Sequence, residues 1–238
     1  MRSLVFAGSD LSDVCSAQVV GRSVGHVDVD AVRVVGRPGA LPVDASIPPE
    51  EVRVRLMMDP GYRPSTNGLA DLRHLLRSWL LVPGGELVLP DEPELVYRDA
   101  FLTDAGGWSE LFEDGECEVT FTLYDPVAYG LSRVERTAAF EVGGSWRTWP
   151  EFALVADAGS GVTVACAALG MSITLEDTFV GGEAIVIDCA TEGVLVNDAD
   201  ARDVVTLGSD FFALEPGDCT LAFTGCTYFE TRFTERWL

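Results

Sequence analysis

The chain has 238 residues, 47% of them apolar and 23% charged, which is the balance of a chain that buries a real core and excludes a disordered one. It carries 38 acidic residues against 16 basic ones, for a formal net charge of -22, and every basic residue is an arginine. A field of that sign repels phosphate backbones and anionic lipid surfaces, so neither a specific nucleic acid nor a membrane is an expected ligand.

The acid is spread evenly. A cut after Glu135 leaves 22 acidic residues and 11 arginines before it, and 16 and 5 after it, so each side carries -11. No acidic tail stands apart as a module. The first residues do not have the pattern of a signal peptide: one arginine, a short apolar stretch from Ser3 to Phe6, then Gly8-Ser9-Asp10. No apolar run reaches the roughly 20 residues of a membrane span.

In chain order, Val27-Asp28-Val29-Asp30 alternates, and the phase slips at Val32-Arg33-Val34. This predicts a strand with a bulge or a break. Arg37-Pro38-Gly39 is a turn signal. Val52, Val54, Leu56 and Met58 alternate with Glu51, Arg53, Arg55 and Met57, which places the apolar set on one face of a strand. Asp59-Pro60-Gly61 closes that strand. Leu69, Leu72, Leu75, Leu76, Trp79 and Leu80 then recur at three- and four-residue spacing. That spacing predicts an amphipathic helix over 68–81, N-capped by Asn67 or Thr66 and ended by Pro83-Gly84. Arg73 and Arg77 lie four apart on its solvent side. Cys117, Val119, Phe121 and Leu123 form a further inward row, and Tyr124-Asp125-Pro126 ends it because proline cannot donate to a ladder.

A boundary is expected near residues 131–140, where the polar stretch Ser132-Arg133-Val134-Glu135-Arg136-Thr137 precedes a fresh strand at Ala139-Phe140-Glu141-Val142. Everything after it reads as eight to ten short strands separated by turns such as Gly181-Gly182 and Pro216-Gly217. That is the pattern of a β-sandwich or jelly roll. Near the end Phe229, Phe233 and Trp237 share one face, with Glu230, Arg232 and Arg236 opposite. The expected architecture is mainly β, in two tandem domains at residues 1–135 and 136–238, with one long helix in the first. The six cysteines form no C-x-x-C unit and read as small buried hydrophobes kept reduced.

No motif carries chemistry. Gly21-Arg22-Ser23-Val24-Gly25 matches a nucleophile elbow, but the residues after it read as a strand, where the elbow needs a helix. Asp198 and Asp200 have the first spacing of a calcium loop. Arg202 then takes a ligand position, and neither the glycine nor the closing glutamate is present. The segment reads as a solvated hairpin turn. Two histidines and scattered cysteines offer no zinc set. Carboxylate pairs such as Glu113/Asp114 carry no information in so acidic a chain. Trp146-Arg147-Thr148-Trp149-Pro150 could stack on a sugar but reads better as the anchor of the first strand of the second domain. No catalytic, metal or cofactor site is expected, and no enzyme.

The order of features has a family likeness. It runs from Phe6-Ala7-Gly8-Ser9-Asp10-Leu11-Ser12-Asp13 through Val34-Val35-Gly36-Arg37-Pro38-Gly39, the alternating strand, the helix and Gly85-Glu86-Leu87-Val88-Leu89 to Val119-Thr120-Phe121-Thr122-Leu123-Tyr124-Asp125-Pro126-Val127-Ala128-Tyr129. It continues with Glu183-Ala184-Ile185-Val186-Ile187-Asp188, Ser209-Asp210-Phe211-Phe212-Ala213-Leu214-Glu215-Pro216-Gly217 and Arg232-Phe233-Thr234-Glu235-Arg236-Trp237-Leu238. This resembles the distal tail protein (Dit) family of long-tailed, non-contractile phages and prophages. The chain departs from the family where Asp218 and Cys219 follow Gly217, and where Pro38 stands in the Arg37–Gly39 turn.

The resemblance implies an N-terminal β-sandwich-like domain that forms a hexameric ring and a C-terminal galectin-like β-sandwich facing outward. The implied partners are further copies of the chain, the tail-tube protein, the tail-associated hub protein, the tape-measure protein and a receptor-binding protein, with DNA passing through the ring. The implied location is the tip of the virion tail, after synthesis in the cytoplasm of the bacterial host. Arg53, Arg55, Arg73 and Arg77 are the candidate ring-contact residues. Two other readings are a carbohydrate-binding β-sandwich module for the host cell wall and a jelly-roll hydrolase.

Overall fold

The computed structural model describes residues 3–58, 68–106, 116–159 and 161–238. They divide into two compact units, Met1–Ala128 and Tyr129–Leu238. No helix among the described residues is long and apolar enough to cross a membrane.

The first unit contains β1 (Val5–Phe6), β2 (Ser9–Asp10), β3 (Cys15–Arg22), β4 (Asp28–Val32), β5 (Leu41–Ser46), β6 (Glu50–Met58), α1 (Gly68–Leu80), β7 (Gly85–Val88), β8 (Val96–Asp104) and β9 (Glu116–Leu123). Seven of the strands pair antiparallel in the order β3-β6-β9-β8-β7-β1-β2. The alternation in β6 and β9 is what sets one face inward. Val52, Val54, Leu56, Val119, Phe121 and Leu123 are all buried, and Val54 lies directly opposite Val119. Phe6 of β1 meets Phe121 of β9 edge to face, with ring centroids 5.0 Å apart. Those strands stand three places apart in the sheet, so the sheet curls around its own core in a sandwich-like way.

Helix α1 supplies Leu72, Leu76 and Leu80 to the same core. Each such leucine contributes about 1.5–3 kcal/mol by leaving water. The helix ends at Leu80, with one further turn bond from Leu81 N to Arg77 O, and Gly84 follows at φ 83°. Arg73 and Arg77 lie on the exposed side, as expected. The N-cap assigned to Asn67 or Thr66, the Asp59-Pro60-Gly61 turn and the Glu113/Asp114 pair lie outside the described residues.

β4 and β5 form a hairpin of their own, with a register shift between Asp30 and Ala31 that leaves Val43 as the extra residue on β5. The irregularity thus falls on β5, and β4 ends at Val32, where the phase slips, so the expected strand break is present. The alternation of Val27-Asp28-Val29-Asp30 buries neither valine: every residue of β4 and β5 is exposed, and so is Val27.

The second unit contains β10 (Ala128–Glu135), which starts at the junction, then β11 (Ala139–Val142), β12 (Glu151–Ala156), β13 (Val162–Cys166), β14 (Met171–Leu175), β15 (Ala184–Asp188), β16 (Gly193–Val196), β17 (Ala199–Asp200), β18 (Gly217–Thr224) and β19 (Cys226–Trp237). One sheet runs β17-β16-β15-β12-β19-β10 and the other β11-β18-β13-β14. Strict alternation in β12 and β13 sends Phe152, Leu154, Ala156, Val162, Val164 and Cys166 into the space between the sheets. The chain passes from the second sheet to the first at Gly225, between β18 and β19. The polar stretch at Ser132–Thr137, expected as a boundary, is mostly strand β10. It lies beside β19, whose residues are about 100 positions later.

All six cysteines are free thiols, and all but Cys226 are buried. Burial pushes the thiols of Cys15 and Cys189 up to about 12 and that of Cys219 to about 11. They therefore stay protonated and poorly nucleophilic at neutral pH.

Candidate assembly surfaces

The β4–β5 hairpin is the most unusual surface in the first unit. Val24 and Val35 are fully open to water, and Val29 and Val43 are 54% and 67% exposed. Val27, Val32, Val34 and Leu41 add to the same arm. Single exposed aliphatics are ordinary, but eight along one projecting segment are not. The tip is also electrostatically distinct. Residues 31–43 hold Arg33 and Arg37 and no carboxylate, in a chain of net charge -22.

Arg53 and Arg55 are brought together on the outer side of β6. They line an open groove of 620 Å³ with Asp104, Glu116, Glu118 and Thr120. Arg55 pairs with Glu118 directly across the strand boundary at 2.8 Å. The Arg53 guanidinium lies over Gly21, where any Cβ would sit 2.6 Å from its Nε. Arg73 and Arg77 stand apart from this groove, on the exposed face of α1. The four arginines thus form two separate pairs.

Two clusters were not legible as sites. Arg22, at the end of β3, donates to Glu92 at 2.7 Å and to the Tyr97 hydroxyl, and it faces Glu50 at 3.4 Å. Burial, then the hydrogen bond to Glu92, raises the Tyr97 phenol above its ordinary value, so it stays a neutral donor. In the second unit the buried Glu230 accepts from Arg136 at 2.7 Å, from Arg232 at 2.9 Å and from the Tyr228 hydroxyl. Those hydrogen bonds, Tyr228 first, hold its carboxyl down to about 2, against 4.5 ordinarily.

A carboxyl held low in the folded state stabilises fully above its unfolded value and loses that contribution as pH falls through the folded one. The Glu230 contribution is therefore expected to be complete above pH 4.5 and to disappear toward pH 2. Acid titration of stability should show a shallower loss over that window in Glu230→Gln. An identical titration curve would contradict this role.

The rejected motifs have plain geometries. Ser23 Oγ accepts from Gly25 N at 2.9 Å, His26 faces Asp28 at 3.2 Å, and the chain runs on into strand β4. Asn197 and Asp198 are both left-handed, at φ 48° and 64°, and join β16 to β17 as a two-residue hairpin turn. Arg202 pairs with Asp200 at 2.7 Å. Trp146 lies under the Arg147 guanidinium at 5.7 Å and precedes β12. Among the described residues no group of three His, Cys, Asp or Glu side chains could hold a metal ion.

Residues 143–237 match the family model of the siphovirus-type tail component, C-terminal domain. The match covers this domain, about two fifths of the chain. No curated protein matches the chain. In fold the chain is similar throughout to the crystal structure of SPP1 Dit (gp 19.1), described as a paradigm of the hub adsorption apparatus in phages infecting Gram-positive bacteria. The identity is 19% over 99% of both chains, with a TM-score of 0.73. Two structures of the phage P2 baseplate in its activated conformation, with Ca and with Sr, align at 9% and 10% identity. Each covers 92% of this chain and 90% of that chain, with a TM-score of 0.41. The mainly β, two-part architecture and the family resemblance expected from the sequence are both borne out.

Proposed function

We propose that this chain is the distal tail, or baseplate hub, protein of a long-tailed non-contractile phage or prophage, and that it has no enzymatic role. In this reading it forms a hexameric ring joining the tail tube to the tail-tip apparatus. The observation that carries the reading is the tail-component match over residues 143–237 on a chain whose whole length takes a Dit-like fold. The tail-tube protein, the tail-associated hub protein, the tape-measure protein and a receptor-binding protein are its partners. The protein is made in the host cytoplasm and works at the tail tip. The first unit makes the ring, and the sandwich of the second unit faces outward.

The β4–β5 arm is the proposed contact between neighbouring copies. Its apolar length asks for cover, and its acid-free, arginine-bearing tip complements the acidic surface that a second copy presents. A closed ring repeats one such heterologous contact. Arg53 and Arg55, and on the helix Arg73 and Arg77, are the polar contacts proposed around it.

Light scattering on the purified full chain is expected to give six times the 25.6 kDa of one copy, or twice that for stacked rings. Val29→Asp combined with Val43→Asp should reduce the mass to a single copy. Its protomer should melt within about 0.5 kcal/mol of the parent, because both side chains are exposed. A ring that survives the double substitution would remove the arm from the interface. A closed ring of another number would overturn the hexamer.

A further inference from the structure

We infer that the second unit carries a binding subsite for a neutral pyranose ring, at the mouth of the sandwich between β10, β11 and β19. The groove there has a volume of 550 Å³, within the range of small-molecule sites, about 300–1,000 Å³. Its chemistry comes from three side chains. Glu235 points inward from β19 and is only 8% exposed. Arg133 of β10 donates from Nε to Glu235 Oε1 at 2.8 Å. That bond leaves Glu235 Oε2 and both terminal nitrogens of Arg133 without a protein partner among the described residues. Trp237 lies two residues beyond Glu235, on the same side of β19, and is 40% exposed.

The groove exists because of what is missing beside it. A Cβ on Gly143 would overlap the Glu235 carboxylate, so only glycine leaves that group its place. Phe140 stacks on Phe233 with centroids 5.6 Å apart and backs the groove from the core side.

A guanidinium paired side-on to a carboxylate presents donors and an acceptor along one edge. Two adjacent ring hydroxyls satisfy that edge together, one accepting from Arg133 and the other donating to Glu235 Oε2. The apolar face of the same sugar ring then covers Trp237. Other ligand classes fit less well. An anion meets Glu235 together with Glu135 and Glu141, which line the same groove. A simple cation finds the favoured place beside Glu235 already taken by Arg133. Trp146 is a poorer platform, because Arg147 covers its ring. This subsite is independent of ring assembly, and either could fail without the other.

Saturation-transfer NMR on the full chain, with the methyl glycosides of glucose, galactose, mannose and N-acetylglucosamine as probes and glycerol as the control, tests the subsite. Transfer is expected to at least one pyranoside at millimolar concentration and not to glycerol. Trp237→Ala and Arg133→Met should each weaken it at least tenfold. Both side chains are well exposed, so circular dichroism should show an unchanged fold. Trp149→Ala, at the other exposed tryptophan among the described residues, should leave the signal as it was. The inference is overturned by the absence of transfer to all four sugars, by equal transfer to glycerol, by transfer that persists in Trp237→Ala and Arg133→Met, or by loss in Trp149→Ala.

Discussion

Gly225→Ala is expected to destabilise the second unit by roughly 3–5 kcal/mol, enough to cancel much of the stability of an ordinary domain. Gly225 is the corner between β18 and β19, where the chain leaves one sheet of the sandwich for the other. Its φ is 74°, in the left-handed region, which costs a residue with a Cβ roughly 1–2 kcal/mol. The steric problem is larger. The new methyl would lie inside the contact distance of Gly161 O and 3.2 Å from Val162 Cα. Both are backbone atoms at the start of β13, so no rotamer change relieves the overlap. The corner is held from a third side, because Asp157 N donates to Gly225 O at 2.9 Å. Hydrogen exchange should show β13, β18 and β19 losing protection while β6 and β9 keep theirs. Unchanged protection in β13 would mean that the corner yields more easily than its geometry implies.

Phe121→Ala carries the second large effect, about 3–5 kcal/mol on the first unit. Phe121 is wholly buried in β9, opposite Val52 of β6 and edge to face with Phe6. Truncation removes the ring from a close-packed core that β6, β1 and the buried leucines of α1 share. The aromatic pair itself accounts for about 0.5–1.5 kcal/mol of the loss, and Phe6→Leu, which breaks the pair but keeps an apolar side chain, should cost only that smaller part. In urea the midpoint should fall with the slope unchanged, the mark of lost stability without a changed unfolded state. A loss below about 1 kcal/mol would show that the sheet closes over the gap.

Elements whose stability is local were legible in the sequence. The helix over Gly68–Leu80 declares itself by leucine spacing, and β6 and β9 by alternation, because in each case a single neighbouring core explains the period. What depended on distant pairing was not legible. Ser132–Thr137 is polar because β10 lies beside β19 with its side chains largely in water, and no local feature announces that neighbour. Glu230 looked like an outward-facing charge on β19. It is buried because Arg136, Arg232 and Tyr228 converge on it, and Arg136 comes from 94 positions away. Periodicity in Val27–Asp30 correctly marked a strand but could not say what covers its apolar side. In the single chain nothing does. The resemblance to phage tail proteins was legible as an order of weak motifs, and the family model matches those in residues 143–237. The two arginine pairs and the Arg133–Glu235 edge, by contrast, are matters of three-dimensional neighbourhood.

The absence of lysine gives the exposed hairpin a further property. Trypsin cuts only after arginine or lysine, and poorly when proline follows. Between Arg22 and Arg53 the chain offers it Arg33 and Arg37, and Pro38 protects the second. The arm therefore has one efficient scissile bond, Arg33–Val34, at its most accessible end. Digestion of that bond converts the question of whether the arm is covered into the presence or absence of one fragment. A copy with a free arm is nicked there early, and a copy whose arm lies against a neighbour is spared.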